Sequence, residues 1–134
     1  MTIQRKQIPV HKRVQHTADL FGLSFPMRLE PTVYHLASLL SEDYNGGYWE
    51  FYTLSNKGFY MAPQSETPYA VCCPNSYEGE LSPDALGIVA CLYSYSHLAF
   101  GENAFAELCA EHYHRLRDYA LEHDEAGAIL AAID

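Results

Sequence analysis

The segment DYNGGYWEFYTLSNKGFYMAP, residues 43–63, decides how the rest of the chain is interpreted. Its two arms, 48–54 and 58–63, are rich in the aromatic residues that favour strands. The intervening SNKG offers asparagine and glycine, which accept positive φ in a tight turn. Upstream, Asn45-Gly46-Gly47 is typical of the end of a helix. The segment therefore predicts a helix end followed by an antiparallel β-hairpin.

The flanking segments carry their own signals. Before the hairpin, residues 29–44 place apolar residues at three-to-four spacing, which predicts an amphipathic helix beginning near Pro31 or Thr32. After it, residues 68–74 lie between two prolines and predict a third strand, followed by a loop or short edge strand over 75–81.

The second half of the chain is predicted to be helical. Ser82-Pro83-Asp84 combines a capping hydroxyl, a first-turn proline and an acid, so it marks the start of a mostly buried helix over 84–100. Further helices are predicted over 104–123 and in the last residues. The order predicts an α+β fold: a single compact domain whose small antiparallel β-sheet, the aromatic hairpin plus a third strand, packs with several α-helices.

Charge is distributed unevenly along the chain. Residues 1–28 hold five of the eight Lys and Arg against one acid, for a net charge of +4, and residues 29–134 carry −13. Residues 1–16 lack sustained periodicity, which predicts a flexible basic N-terminal arm before a single folded domain over 17–134. The acidic body repels phosphate, so we expect no stable nucleic-acid binding from it. A DNA-binding module working through the basic arm is an alternative.

The composition also indicates where the protein is located and whether it binds a cofactor. No apolar run approaches the roughly 18 residues that cross a bilayer, and no signal-peptide segment is visible, so we predict a cytoplasmic protein without a membrane partner. The four cysteines match neither a zinc site nor a disulfide framework. We expect reduced thiols and no metal or cofactor; the cysteines are Cys72, Cys73, Cys91 and Cys109.

Catalytic motifs are absent from the sequence. It contains no GxSxG, GxxxxGK[ST], GxGxxG or HExxH. A small hydrolase could still use Glu50, which shares a strand face with Tyr48 and Tyr52, or Cys91 with His97. The simpler interpretations are that Glu50 is a carboxylate on the solvent-exposed face of a strand and that Cys91 is a thiol buried in the core.

The order of residues in 43–63 resembles the signature of the ArdB/KlcA antirestriction family. The stretches 21–40, 73–100 and 114–134 are similar to that family as well, so the resemblance covers roughly residues 20–134. It implies a small cytoplasmic accessory protein of plasmids and other mobile genetic elements, acting in horizontal gene transfer. Such proteins help incoming plasmid or phage DNA to escape host type I restriction–modification enzymes. The resemblance also implies an α+β fold without catalytic activity, cofactor or metal.

One residue departs from that resemblance. Where the family signature reads SNGGFYM, this chain has Lys57 in place of a turn glycine. We therefore expect that the backbone at Lys57 does not require a positive φ.

Two mechanisms of inhibition remain open from the sequence. The charge of −13 suits an acidic DNA mimic, but mimicry needs carboxylates in regular rows and the acids here are scattered. The other mechanism is contact with a protein partner or a restriction complex, directly or indirectly. Because loops on rigid scaffolds often carry contacts, the candidate contact residues are Tyr44, Asn45, Asn56 and Lys57. Turn formation explains the two asparagines equally well.

Overall fold

Two small antiparallel sheets form the β part of the structure over residues 2–134. The computed structural model describes residues 2–134. In the three-stranded sheet the order is β1-β2-β3, with the hairpin strands β2 and β3 following an N-terminal edge strand, and the second sheet contains β4 and β5. The strands are β1 Arg5–Gln7, β2 Trp49–Leu54, β3 Phe59–Pro63, β4 Tyr69–Cys72 and β5 Glu78–Leu81.

Within residues 2–134, five α-helices accompany the sheets, which gives the predicted α+β fold in one compact domain. A 3₁₀ turn at Val10–Lys12 precedes the first helix, and a π-helix at Phe25–Leu29 leads into the second. No helix within residues 2–134 is long and apolar enough to cross a membrane. The helices are α1 Arg13–Phe21, α2 Glu30–Leu40, α3 Pro83–Leu98, α4 Ala104–Ala120 and α5 Ala126–Ile133.

The predicted aromatic hairpin is confirmed. Strands β2 and β3 pair antiparallel with Tyr52 opposite Tyr60, and the two rings stack at a centroid distance of 5.0 Å. Every residue of β3 is buried, because α3 and α4 both pack against this strand. The aromatic residues of the hairpin therefore serve mainly as core.

The predicted strand at 68–74 is present as β4, but it does not join the hairpin. It pairs with β5, where Tyr69 faces Leu81 and Val71 faces Gly79, so the interpretation of 75–81 as a short edge strand was the correct one. The third strand of the hairpin sheet is instead β1. Its three residues are all exposed and polar, so no hydrophobic alternation announces it.

The N-terminal segment differs from the predicted flexible arm. Arg5 to Gln7 pair with β2, and Ile8 is only 2% exposed and donates its backbone N–H to the Phe51 carbonyl at 2.8 Å. The boundary predicted between residues 16 and 17 lies inside α1. Met1 lies outside the described residues. Backbone pairing, which leaves no periodic pattern in a three-residue strand, accounts for the difference.

Helix α2 ends earlier than predicted. The segment 29–44 forms a helix only as far as Leu40, and Ser41 is extended. The Ser41 hydroxyl donates to the Ala70 carbonyl at 2.6 Å, while the Asp43 carboxylate accepts from the Ala70 amide at 2.9 Å. These two bonds attach the end of α2 to β4, so the chain leaves the helix before the glycines at 46 and 47.

The helix start predicted at Ser82-Pro83-Asp84 is confirmed, and a side chain caps the next helix as well. Ser82 Oγ accepts from Ala85 N at 3.1 Å at the start of α3, and Asn103 Oδ1 accepts from Ala106 N at 2.8 Å at the start of α4. Most residues of α3 are buried, as its nearly continuous apolar sequence predicts.

One histidine belongs to this core. His112 on α4 is 1% exposed, packs against Phe21 and Tyr95 at centroid distances of 4.7 and 5.5 Å, and its Nδ1 has no hydrogen-bond partner within residues 2–134. Burial, with a smaller contribution from the charge of Arg115, lowers the pKa of His112 to about 4. The ring is therefore neutral in the folded protein near pH 7.

This burial predicts acid sensitivity. An unfolded histidine has a pKa of about 6.5, so below that pH the unfolded chain binds a proton that folded His112 refuses. The free energy of unfolding should fall by up to about 1.4 kcal/mol per pH unit from this residue, until pH reaches about 4. Urea unfolding at several pH values, with His112→Phe beside the unaltered protein, measures the effect. Identical pH profiles for the two proteins would contradict it.

Candidate interaction surface

The Asp84 carboxylate, at the N-terminus of α3, joins four separate parts of the chain. Its Oδ1 accepts from Arg5 Nη1 at 2.6 Å and from Tyr60 Oη at 2.8 Å. Its Oδ2 lies 2.8 Å from His123 Nε2. Arg5 belongs to β1, Tyr60 to β3, and His123 to the connection between α4 and α5. We call these four residues the Asp84 cluster.

The cluster keeps the Asp84 carboxylate charged. Burial by itself raises the pKa of Asp84, but the hydrogen bonds from His123 and Tyr60 and the charge of Arg5 outweigh it and lower the pKa below its ordinary value. The hydrogen bond to Asp84 raises the pKa of His123, against the opposing effect of burial. Burial, together with the charge of Asp84, raises the pKa of Tyr60, which stays a neutral donor.

Neither ring nitrogen of His123 is free. While Nε2 faces Asp84, Nδ1 accepts the backbone N–H of Glu125 at 3.0 Å. The Glu125 carboxylate in turn accepts from Ser82 N at 3.0 Å and makes a short contact with Ser82 Oγ. With its partners fixed in this way, His123 has no nitrogen available to take a proton from a substrate. The cluster connects segments rather than presenting a base.

A polar groove of about 400 Å³ opens beside the cluster, with Glu50 on its wall. The Glu50 side chain is 19% exposed, so it is not the freely solvated carboxylate of the simpler interpretation. It accepts a hydrogen bond from Gln7 Nε2 and lies 3.6 Å from Arg13 Nη2. Arg13 also donates to the Tyr48 hydroxyl at 2.8 Å and the Trp49 carbonyl at 2.7 Å. Arg13 and Glu50 together attach α1 to β2.

The thiol candidate for a hydrolase is wrong. Cys91 is 1% exposed on α3, with Sγ 3.5 Å from the Met61 amide nitrogen. Burial raises its pKa to about 12, so the nucleophilic thiolate does not form near neutral pH. His97, its suggested partner, is exposed near the end of the same helix. Within residues 2–134, no three His, Cys, Asp or Glu side chains are grouped so that they could hold a metal ion.

Comparison with known proteins places the chain in a family. A sequence model described as antirestriction protein matches residues 42–134, more than half of the chain. The chain belongs to the antirestriction protein family. The antirestriction protein KlcA of Escherichia coli is 43% identical over 127 residues, which cover 92% of this chain and 89% of that protein. YafX of Escherichia coli K12, a relative named without a function, is 39% identical over 132 residues, 95% of this chain and 85% of YafX.

The fold is shared with a solved member of the family. A structure from work on the KlcA and ArdB proteins superposes with a TM-score of 0.93 at 38% sequence identity, covering 100% of this chain and 96% of that one. That work describes a novel fold with antirestriction activity against type I DNA restriction systems in vivo but not in vitro. The resemblance noted from the sequence is therefore confirmed.

The four predicted contact residues of this antirestriction protein do not form one surface. Tyr44 and Asn45 precede β2, whereas Asn56 and Lys57 follow it in the hairpin turn. Strand β2 has six residues, which at a rise of about 3.3 Å per residue separates the two pairs by roughly 20 Å. A single small contact can include one pair but not both.

Within each pair, one residue has a structural role and the other is exposed. Tyr44 Oη accepts from Trp49 Nε1 at 3.0 Å, and Asn56 Nδ2 donates to the Arg115 carbonyl at 2.9 Å, which ties the hairpin turn to α4. Asn45 and Lys57 are exposed. A role in partner contact stays a prediction for all four.

The expectation for the Lys57 backbone was wrong. Lys57 has a φ of +72°, so the turn requires the left-handed conformation that the family's glycine would adopt freely. The turn closes with Lys57 N donating to the Leu54 carbonyl at 2.9 Å, and this geometry persists because Asn56 also bonds to the amide of Gly58 and to α4. The lysine is held in a strained conformation by its neighbours.

Lys57→Gly should therefore stabilise the protein. Relief of a left-handed residue is worth about 1–2 kcal/mol, and the greater freedom of glycine in the unfolded chain removes about half of that gain. We expect a rise of about 0.5–1 kcal/mol in the free energy of unfolding, measured by urea denaturation. Lys57→Ala, which removes the side chain and keeps the strain, is the control and should change little. Equal effects of both substitutions would show that the backbone is not the cause.

Sequence reasoning missed the Asp84 cluster. The sequence did show Asp84 as a helix-start residue, which is compatible with its place in the first turn of α3. Its partners Arg5 and His123 lie 79 and 39 residues away, and nothing in either neighbourhood connects them to it. The contacts of Arg13 with β2 were also missed, because the sequence placed Arg13 in a flexible arm.

Proposed function

We propose that the protein protects incoming unmodified DNA by inhibiting host type I restriction–modification enzymes, and that it does so without catalysis. The observation that carries this proposal is the match over nearly the full length to a family member described as active against type I systems in vivo but not in vitro. Activity confined to cells favours a partner or an assembled restriction complex over simple occupation of the free enzyme. Contact through a shaped protein surface fits that requirement.

The carboxylates support this mechanism over DNA mimicry. A mimic needs free charges in rows that match the spacing of phosphates. Within residues 2–134, seven of the 17 acids accept hydrogen bonds from other parts of the chain, which fixes their positions. Those that accept a hydrogen bond are Asp19, Glu30, Asp43, Glu50, Asp84, Glu122 and Glu125.

The proposal is tested by plating unmodified phage on cells with and without an active type I restriction system, each with and without the protein. We expect the protein to raise plating efficiency only on restricting cells. Equal plating with and without the protein on those cells would overturn the proposal. A gain on cells lacking restriction would also overturn it, since protection would then have another cause.

A hydrolase using Glu50 is the second candidate, because that side chain lines the polar groove. Glu50→Gln keeps the shape of the side chain and removes its acid–base chemistry. Under our proposal this variant protects phage as well as the unaltered protein does. Complete loss of protection with unchanged folding, judged by circular dichroism and urea unfolding, would favour the hydrolase.

DNA mimicry and protein contact are separated by a binding measurement. A mimic binds the DNA-free restriction enzyme, loses affinity steeply as salt rises, and competes with DNA. We expect no such salt-sensitive, DNA-competed binding. Its observation with the purified enzyme would favour mimicry.

The predicted contact residues can be tested in the same plating assay. Asn45→Ala and Lys57→Ala are the clean substitutions, since both side chains are exposed. Reduced protection from only one of them would assign the contact to that end of the hairpin. Full protection from both variants would remove these loops as the contact surface.

A further inference from the structure

A groove follows the outer side of α2 and ends against the last turn of α3. It consists of two adjoining cavities of about 450 and 650 Å³ that share His97 and Leu98 on their walls. We call it the α2–α3 groove. Its lining includes Arg28, His35, Leu39, His97, Leu98 and Phe100.

The groove exposes large apolar side chains. Leu39, in α2, is 64% exposed, and Phe100, two residues after the end of α3, is 83% exposed. Leu98 lies between them on the shared wall. The stretch from Arg28 to Leu39 has a length of roughly 16 Å along the helical rise, enough for about three turns of a partner helix. Apolar positions along such a groove are what an amphipathic helix recognises.

The groove lacks the acidic residues that predominate over residues 29–134. The chain has a net charge of −9, yet among residues 2–134 no carboxylate lines either cavity. The lining contributes one guanidinium, Arg28, and two exposed imidazoles, His35 and His97. Of the acids nearby in sequence, Glu30 accepts from Tyr34 Oη at 2.9 Å, and Glu102, in the loop between Phe100 and Asn103, is not among the lining residues.

The Arg28 guanidinium has no carboxylate partner within residues 2–134. It lies over the ring of Phe105 at 5.7 Å, which positions it beside the groove without neutralising its charge. Arg5, Arg13 and Arg115, by contrast, each pair with an acid. A free cation next to exposed leucine and phenylalanine side chains is complementary to a surface that combines apolar and acidic residues.

We infer that the α2–α3 groove binds an acidic amphipathic helix of a protein partner, with apolar side chains against Leu39, Leu98 and Phe100 and a carboxylate on Arg28. A second apolar face, around Val10, Val14 and Leu23, carries no such preference, because both Arg13 and Glu30 line it. The inference goes beyond the proposed function, since it assigns the chemistry of a partner without requiring that the partner belong to a restriction system.

The test uses two synthetic helical peptides with the same leucine and phenylalanine positions. One carries glutamate on its polar face and the other carries lysine. Titration of the 134-residue chain into each fluorescently labelled peptide, followed by anisotropy, should show saturable binding of the glutamate peptide. Binding of the lysine peptide should be weaker by about tenfold or more. Absence of saturable binding by the glutamate peptide overturns the inference.

Variants locate the binding on the molecule. Leu39→Ala combined with Phe100→Ala should weaken binding of the glutamate peptide by about tenfold. Arg28→Glu should reverse the preference between the two peptides. Val14→Ala is the matched control, because Val14 is as exposed as Phe100, at 83%, and lies on the other apolar face. All three should unfold at the same urea concentration as the unaltered protein, since every altered side chain is exposed.

Three further outcomes would also overturn the inference. Equal weakening by Val14→Ala would indicate unspecific apolar adhesion. Binding of a DNA oligonucleotide that Arg28→Glu abolishes would identify the groove as a phosphate site. A dimer in sedimentation that dissociates in the Leu39/Phe100 variant would identify a second copy of the chain as the occupant. None of these measurements depends on phage plating, so the groove and the proposed function can fail separately.

Discussion

Asp84→Ala is expected to lower the free energy of unfolding by about 3 kcal/mol. The carboxylate accepts from Arg5, Tyr60 and His123, and hydrogen bonds to a charged group contribute about 1.5–3 kcal/mol each, although they do not add fully. The Asp84 side chain is 26% exposed and that of Arg5 42%, so water compensates part of the loss and the total stays below the sum. Favourable charge in the first turn of α3 is lost as well. Urea unfolding measures the change.

The conservative variant and a matched control sharpen this expectation. Asp84→Asn keeps one acceptor oxygen for Arg5 and Tyr60, so it should cost less than the alanine variant. Asp118→Ala, at an exposed aspartate, should change stability by no more than about 0.5 kcal/mol. The loss should be largest where the cluster holds the N-terminus, so amide exchange in β1 should accelerate. A cost below about 1 kcal/mol for Asp84→Ala would show that the cluster is dispensable for folding.

The elements that could be predicted from the sequence are those whose signals are local. Strands β2 and β3 are rich in aromatic residues and flank a short turn. Helix α3 has its cap, its first-turn proline and a long apolar run in consecutive positions. The resemblance of 43–63 to the antirestriction signature is local too. Each of these signals lies within about twenty residues, and tertiary packing agrees with all of them.

The elements that were missed depend on distant partners. Strand β1 exists because Arg5 to Gln7 meet Leu54 to Tyr52, nearly fifty residues away, and a polar three-residue strand has no pattern of its own. Residues 68–74 carry a correct strand signal, but alternation does not reveal which neighbour a strand pairs with. The positive φ of Lys57 could not be predicted either, because the turn is fixed by a hydrogen bond from Asn56 to α4, far along the chain.

The candidate site follows the same division. The loops around Asn45 and Lys57 could be chosen from the sequence as contact candidates, since turn residues are visible there. The α2–α3 groove could not be chosen, because it forms where Arg28 and Leu39 come beside the end of α3. Its most exposed side chain, Phe100, follows a helix and looks in sequence like one more apolar residue of that helix.

Gly87→Ala should destabilise the protein by at least about 3 kcal/mol, although alanine is the better helix former by about 1 kcal/mol. Gly87 lies in α3 where that helix contacts β3. A Cβ atom at this position would stand 2.4 Å from the Met61 carbonyl oxygen and 2.5 Å from both Cα and Cβ of Ala62. Two of these three atoms are backbone, so a rotamer change cannot relieve the overlap. Either α3 or the hairpin must move, and a tightly packed core resists such movement.

Gly127→Ala separates the clash from helix propensity. Gly127 lies in α5 and is exposed, and a Cβ there meets no heavy atom of the described residues within 4 Å. This control should stabilise the protein by up to about 1 kcal/mol, so the same substitution at two helical glycines should have opposite signs in urea unfolding. If Gly87→Ala were neutral, α3 could shift off β3 at little cost. The close packing of α3 on the aromatic hairpin would then contribute little to the stability of the fold.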